Sequence, residues 1–220
     1  MMRHMGRLIW TLSLWIVCAS AGTCGQYPTS MPWLGLLVAK NNSSASTSPP
    51  IVATPQWKIF VTAGVSSPYI GVSGFDADCM GDTNKPADSS VYKAMIVEGT
   101  TRRACSTPMC GGGAAEGIDW VLKPSHRYVR ASDSADLFTA GSAAVFSFGT
   151  WGNPPDAAAL SFWTGLTASW TNSPSNCLSW ANNLGGTFGA TGNSSSTNSS
   201  VISAAALDCT GSYHLLCVEQ

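Results

Sequence analysis

The chain has 220 residues, 11 of them basic and 12 acidic, giving a net charge of −1. Only 10% of the residues are charged, against roughly 25% in an ordinary soluble domain. So small and balanced a charge excludes the basic face of a nucleic-acid binder. A hydrophobic share of 45% excludes a charge-rich disordered chain. Eight cysteines point to an oxidising compartment or to a metal.

Arg3, His4 and Arg7 give a short basic start. Leu8 to Val17 is an apolar run interrupted by Thr11 and Ser13, and Ala19-Ser20-Ala21 supplies small residues for cleavage. This three-part pattern predicts an export signal within residues 1–24. The run falls short of the ~20 residues that span a bilayer. Cys24 follows Ala21-Gly22-Thr23, which resembles the box ahead of an acylated cysteine in bacterial lipoproteins. Cysteine parity supports lipidation. Cys18 leaves with the signal, and acylation of Cys24 leaves an even set to pair: Cys79, Cys105, Cys110, Cys177, Cys209 and Cys217. The alternative is cleavage after Ala21, with a secreted product and Cys24 free or bridged to another molecule.

Residues 25–56 form a tether. Asn41 to Pro50 has no charge and almost no apolar side chain, so it cannot bury enough surface to fold. Trp33 to Val38 is an apolar island within it. Residues 57–220 then form one domain, long enough to bury a core. Its last basic residue is Arg130.

In chain order, Trp57 to Thr62 alternates and is rich in β formers, predicting a strand. Gly74 to Met80 predicts a short helix with Asp76 and Asp78 in its first turn. Tyr92 to Val97, Asp119 to Leu122, Ala144 to Phe148, Leu160 to Trp163 and Tyr213 to Val218 are further predicted strands. Gly, Pro, Ser and Asn clusters separate them. The pattern is α+β, mostly β with short helices and long loops.

The chemistry-bearing residues favour binding over catalysis. Cys105 and Cys110 are the only close cysteine pair, and no second pair or histidine pair completes a zinc site. Asp76-x-Asp78-x-Met80-Gly81-Asp82 departs from a calcium loop at Met80 and at Ala87. There is no nucleophile elbow, and pairing removes the thiolate that a Cys–His pair needs. No metal or cofactor is expected, and the chain is read as not an enzyme. Arg102, Arg103, Arg127 and Arg130 head the basic clusters and are the candidate ligand-binding residues. Trp151, Trp163, Trp170 and Trp180 are read as core rather than as a sugar-stacking platform.

The C-terminal half carries a recognisable order of motifs. Ser161-Phe162-Trp163-Thr164-Gly165-Leu166 precedes Trp170, Cys177, Trp180 and Cys209, and Leu215-Leu216-Cys217-Val218-Glu219 closes the chain but for Gln220. The pattern resembles the C-type lectin-like fold and, more closely, the endostatin domain of basement-membrane collagens. It is most similar to the leptospiral endostatin-like surface proteins, through Gly74 to Cys79, Tyr92 to Met95, Arg103 to Cys105, Asp119 to Leu122, Trp163 to Leu166 and Leu216 to Gln220.

The resemblance implies two nested bridges, Cys79–Cys217 outside and Cys177–Cys209 inside, with Cys105–Cys110 remaining. The collagen domain's N-terminal zinc histidines and the lectins' calcium loop have no clear counterparts here. By the same resemblance the protein is an outer-membrane or cell-surface lipoprotein and an adhesin. Its expected partners are extracellular-matrix proteins such as laminin and fibronectin, plasminogen, or complement regulators, and its only membrane contact is the lipid anchor. The alternatives are a calcium-independent glycan-binding module of the envelope, or a structural envelope protein without a host ligand.

Overall fold

The computed structural model describes residues 55–220. The predicted signal, Cys24 and all of the tether before Pro55 lie outside the described residues. Two antiparallel-dominated sheets form the frame. The larger has the order β2-β8-β1-β3-β4, built from β1 (Gln56–Val61), β2 (Tyr92–Ala94), β3 (Arg127–Arg130), β4 (Asp136–Thr139) and β8 (Leu216–Glu219). The smaller has the order β5-β6-β7, from β5 (Ser161–Trp163), β6 (Phe188–Asn193) and β7 (Ala205–Asp208). β1 runs parallel to β3 and antiparallel to β8. The class is mixed α+β, mostly strand, with few helices and three disulfides.

The central strands divide two cores. Ile59 and Val61 of β1, with Leu216 and Val218 of β8, face a core filled by Trp120, Phe138, Phe146, Trp151 and Trp170. Phe60 and Cys217, from the same two strands, face a second core with Phe75, Tyr92, Trp163 and Trp180. Successive residues of a strand point to opposite faces, so Ile59, Phe60 and Val61 are all buried although they alternate.

Helix α1 (Gly71–Gly81) begins three residues before the predicted start. Asp76 and Asp78 therefore stand beyond its first turn, which holds no acid. The helix has no side-chain cap. It is held by Phe75 and Cys79, both fully buried, and by the bond from Cys79 to Cys217 on β8.

Two predicted strands are absent. Asp119 takes a left-handed backbone (φ 41°), and Trp120 to Leu122 are buried in irregular chain. Ala144 is likewise left-handed (φ 59°), in a turn closed by Gly141 and Val145. In both places the β-forming side chains report burial, not extension. The predicted strand at Tyr92–Val97 ends at Ala94, although Met95 to Val97 stay buried.

β3, β4, β6 and β7 have no counterpart among the predicted strands. β6 reads Phe-Gly-Ala-Thr-Gly-Asn, a weak strand by propensity. Its glycines answer crowding instead: a Cβ on Gly192 would lie 2.1 Å from the Val201 carbonyl oxygen and 2.6 Å from the Phe162 ring.

The three bridges join the pairs implied by the resemblance, with sequence separations of 138 for Cys79–Cys217, 32 for Cys177–Cys209 and 5 for Cys105–Cys110.

Candidate binding surface

The four arginines do not form one basic face. Arg102 is 1% exposed. Its Nη1 and Nη2 each reach the Asp76 carboxylate at 2.7 Å, Nη2 also reaches Asp119 at 2.6 Å, and Nη1 donates to the Ala94 carbonyl at 3.0 Å. Burial opposes the charge, but the two aspartates overcome it and hold the guanidinium further toward its charged form. Arg102 is therefore withdrawn from the candidate contact surface. It is a buried clamp between α1 and the loop ahead of Trp120.

The other three are occupied to different degrees. Arg103 is half-buried and donates to the Glu116 carbonyl at 3.0 Å. Arg127 pairs with Asp136 at 3.0 Å. Arg130 grips Asp133 through Nε and Nη2 and donates to the Pro154 carbonyl at 3.0 Å. Arg127 and Arg130 stand three apart on β3, so they leave opposite faces of the strand. Neighbouring aspartates neutralise both, which leaves little field to attract an acidic partner.

The acids of the loops are equally committed. Buried Glu98 accepts from the amides of Thr100, Thr101 and Arg102 and from both threonine hydroxyls. Burial raises its pKa, yet these bonds prevail and hold it at about 2. Glu116 fastens the Cys105–Cys110 loop by accepting from Ser106, Thr107 and Gly112, with the Thr107 hydroxyl the leading cause of a pKa of about 2. Asp82, of the calcium-like run, accepts from the amides of Ala63, Gly64 and Asn84.

Apolar side chains are exposed where charge is missing. No charged residue occurs between Asp156 and Asp208. Within that stretch Leu178, Leu184 and Phe188 are 66%, 67% and 49% exposed. The chain that presents them is anchored firmly.

Cys177 to Trp180 form one left-handed turn, with φ of 49°, 52°, 58° and 59°. Such backbone costs roughly 1–2 kcal/mol per residue. Cys177 is bonded to Cys209. Trp180 is fully buried against Phe75 and Trp163, and its indole donates to the Val97 carbonyl at 2.8 Å. The Asn176 side chain accepts from the Ser179 amide at 3.0 Å. With Cys177 and Trp180 fixed inward, Leu178 is left pointing out.

The predicted motif Trp163-Thr164-Gly165-Leu166 seats this turn. Gly165 is left-handed (φ +66°), and a Cβ there would lie 2.2 Å from the Val97 oxygen and 2.9 Å from the Trp180 ring. Beyond the turn, Asn182 accepts from the Leu184 amide and donates to the Thr187 hydroxyl. Asp208 accepts from the Gly186 amide. The long uncharged run was readable in the sequence. That three of its apolar residues face outward was not, because the same run also holds the deeply buried Trp163, Trp170 and Trp180.

The family described as "Protein of unknown function (DUF1554)" matches residues 61–197, and the chain belongs to that family. No curated protein matches the chain.

Proposed function

We propose that this protein is an exported cell-surface binding protein, anchored through acylated Cys24, that adheres to extracellular-matrix or serum proteins. The observation that carries the reading is the exposed trio Leu178, Leu184 and Phe188 on a disulfide-anchored, uncharged segment. Exposed apolar side chains on a rigid support are what a protein interface uses as anchors. The arginines serve this role poorly, since burial or ion pairing occupies most of them.

The finer reading of the fold is endostatin-like, within the C-type lectin-like class. Its support is the motif order in the sequence, the outer bridge from α1 to the last strand, the inner bridge nested within it, and the first and last strands lying side by side. This reading places the protein with the leptospiral endostatin-like surface proteins, whose ligands include laminin, fibronectin, plasminogen and complement regulators.

The test is capture of those proteins on the immobilised full chain, beside the double variant Leu178→Asp, Phe188→Asp. Capture reduced at least tenfold with an unchanged unfolding midpoint is the expected result. Equal capture by the variant overturns the apolar contact, and no capture of any of them by the unaltered chain overturns the adhesion reading. Mass spectrometry of the mature N-terminus tests the acylation of Cys24.

A further inference from the structure

A cleft of about 180 Å³ opens where the parallel strands β1 and β3 end. Its apolar wall is Phe60, Val61, Pro86, Ala131 and Pro155, and its polar rim is Asn84, Arg130, Ser132 and Asp156. The polar atoms are unequally spent. Asn84 gives its amide nitrogen to the Val61 carbonyl at 2.9 Å, and its side-chain oxygen has no hydrogen-bond partner among the described residues. Asp156 uses Oδ1 on the Ala158 amide at 2.8 Å. Among the described residues, no cation lies within ion-pair distance of Asp156.

Arg130 offsets that charge only in part: it acts on Asp156 at longer range, while Asp133 holds it through two bonds of 2.9 and 2.8 Å. Asp133 stands outside the lining of the cleft, but its pairing with Arg130 leaves the Asp156 carboxylate as the one charge of the lining without an ion-pair partner among the described residues. An anion is therefore disfavoured. A purely apolar ligand would strip water from the Asp156 carboxylate without replacing it. The arrangement suits a ligand with an apolar stem and a cationic head, which is the form of a lysine side chain lying along an apolar wall with its ammonium held at the rim. The acidic excess of the domain, 8 basic residues against 12 acidic from Trp57 onward, favours approach of a basic partner.

We propose that this cleft is a socket for a lysine side chain of the partner protein, with the ammonium received by Asp156, Asn84 and Ser132. The socket rests on the adhesion reading for the nature of its partner. It lies apart in sequence from the Leu178–Phe188 segment.

The test uses the full chain and N-acetyl-lysine methylamide, with N-acetyl-norleucine methylamide as the uncharged control, followed by calorimetry and by the backbone resonances of Asn84, Ser132 and Asp156. The lysine probe is expected to bind with a Kd on the order of 1 mM, to move those resonances, and to weaken severalfold in high salt. Asp156→Asn keeps the Ala158 bond through its side-chain oxygen and is expected to weaken binding at least tenfold. Ser132→Trp fills the cleft and is expected to abolish it.

Equal binding of norleucine and lysine overturns the socket, as does unchanged affinity in Asp156→Asn or a preference for inorganic phosphate. A chain that captures matrix protein yet ignores the lysine probe removes the socket alone. A chain that binds the probe yet captures no protein keeps the socket and removes the adhesion reading.

Discussion

The indole of Trp180 donates to the carbonyl of Val97 at 2.8 Å, across 83 residues of chain. The bond ties the left-handed turn that carries Leu178 to the irregular segment that follows β2. Trp180→Phe keeps a ring packed against Phe75 and Trp163 but deprives the Val97 oxygen of its donor. The expected loss is about 1–3 kcal/mol, read from urea unfolding. Gly165→Ala, which forces a Cβ onto the same oxygen, is expected to leave little folded protein on expression.

Arg102 and Arg103 are adjacent but should behave differently. Arg102→Ala strands the Asp76 carboxylate beside Ala94 without its bidentate partner. Removing one member of a buried pair costs about 3–5 kcal/mol. The lower end applies here, because Asp119 is part-exposed and keeps Lys93. Arg103→Ala, which loses a single side-chain hydrogen bond to the Glu116 carbonyl, should cost about 0.5–1.5 kcal/mol. Denaturant midpoints of the two variants decide the matter.

Glu98 makes stability pH-dependent in a defined window. Its carboxyl is held at about 2 in the folded state, below the ordinary value of 4.5. A depressed carboxyl contributes stability that is complete above the unfolded value and is lost as pH falls through the folded one. The contribution should therefore fade between about pH 4.5 and 2, and it amounts to at most about 3 kcal/mol. Glu98→Gln should flatten that part of the acid-unfolding curve relative to the unaltered chain.

The bridges should rank by the length of chain they close. On the loop-entropy account, removing Cys79–Cys217, Cys177–Cys209 or Cys105–Cys110 costs roughly 5, 4 and 2 kcal/mol. Paired Cys→Ser variants, compared by thermal unfolding, should follow that order. Loop entropy does not account for the whole of the inner bridge, since losing it also frees the left-handed backbone at Cys177.

Some of this was legible in the residues. β1 announced itself through Trp57 to Val61, and β8 through Leu216 to Val218, because central strands are rich in large β-forming side chains. The cysteine pairing followed from the family resemblance and is the pairing found. β6 stayed hidden because Gly189 and Gly192 answer close approach rather than propensity, and β7 because its Ala205 and Ala206 are exposed and carry no β-forming side chain. The candidate contact surface failed at Arg102 for a related reason. Composition shows a cation but not the two aspartates, 26 and 17 residues away in sequence, that bury it.

The outer bridge also sets how the domain carries a pull. Load applied at Pro55 and Gln220 enters through β1 and β8, which lie side by side in opposite directions and can open like a zip. Extension then stops at Cys79–Cys217, after release of no more than about 90 Å of chain at ~3.4 Å per residue. Everything between these two cysteines, including the Leu178–Phe188 segment and the cleft rim at Asn84 and Asp156, sits inside a covalent ring that bears no tension.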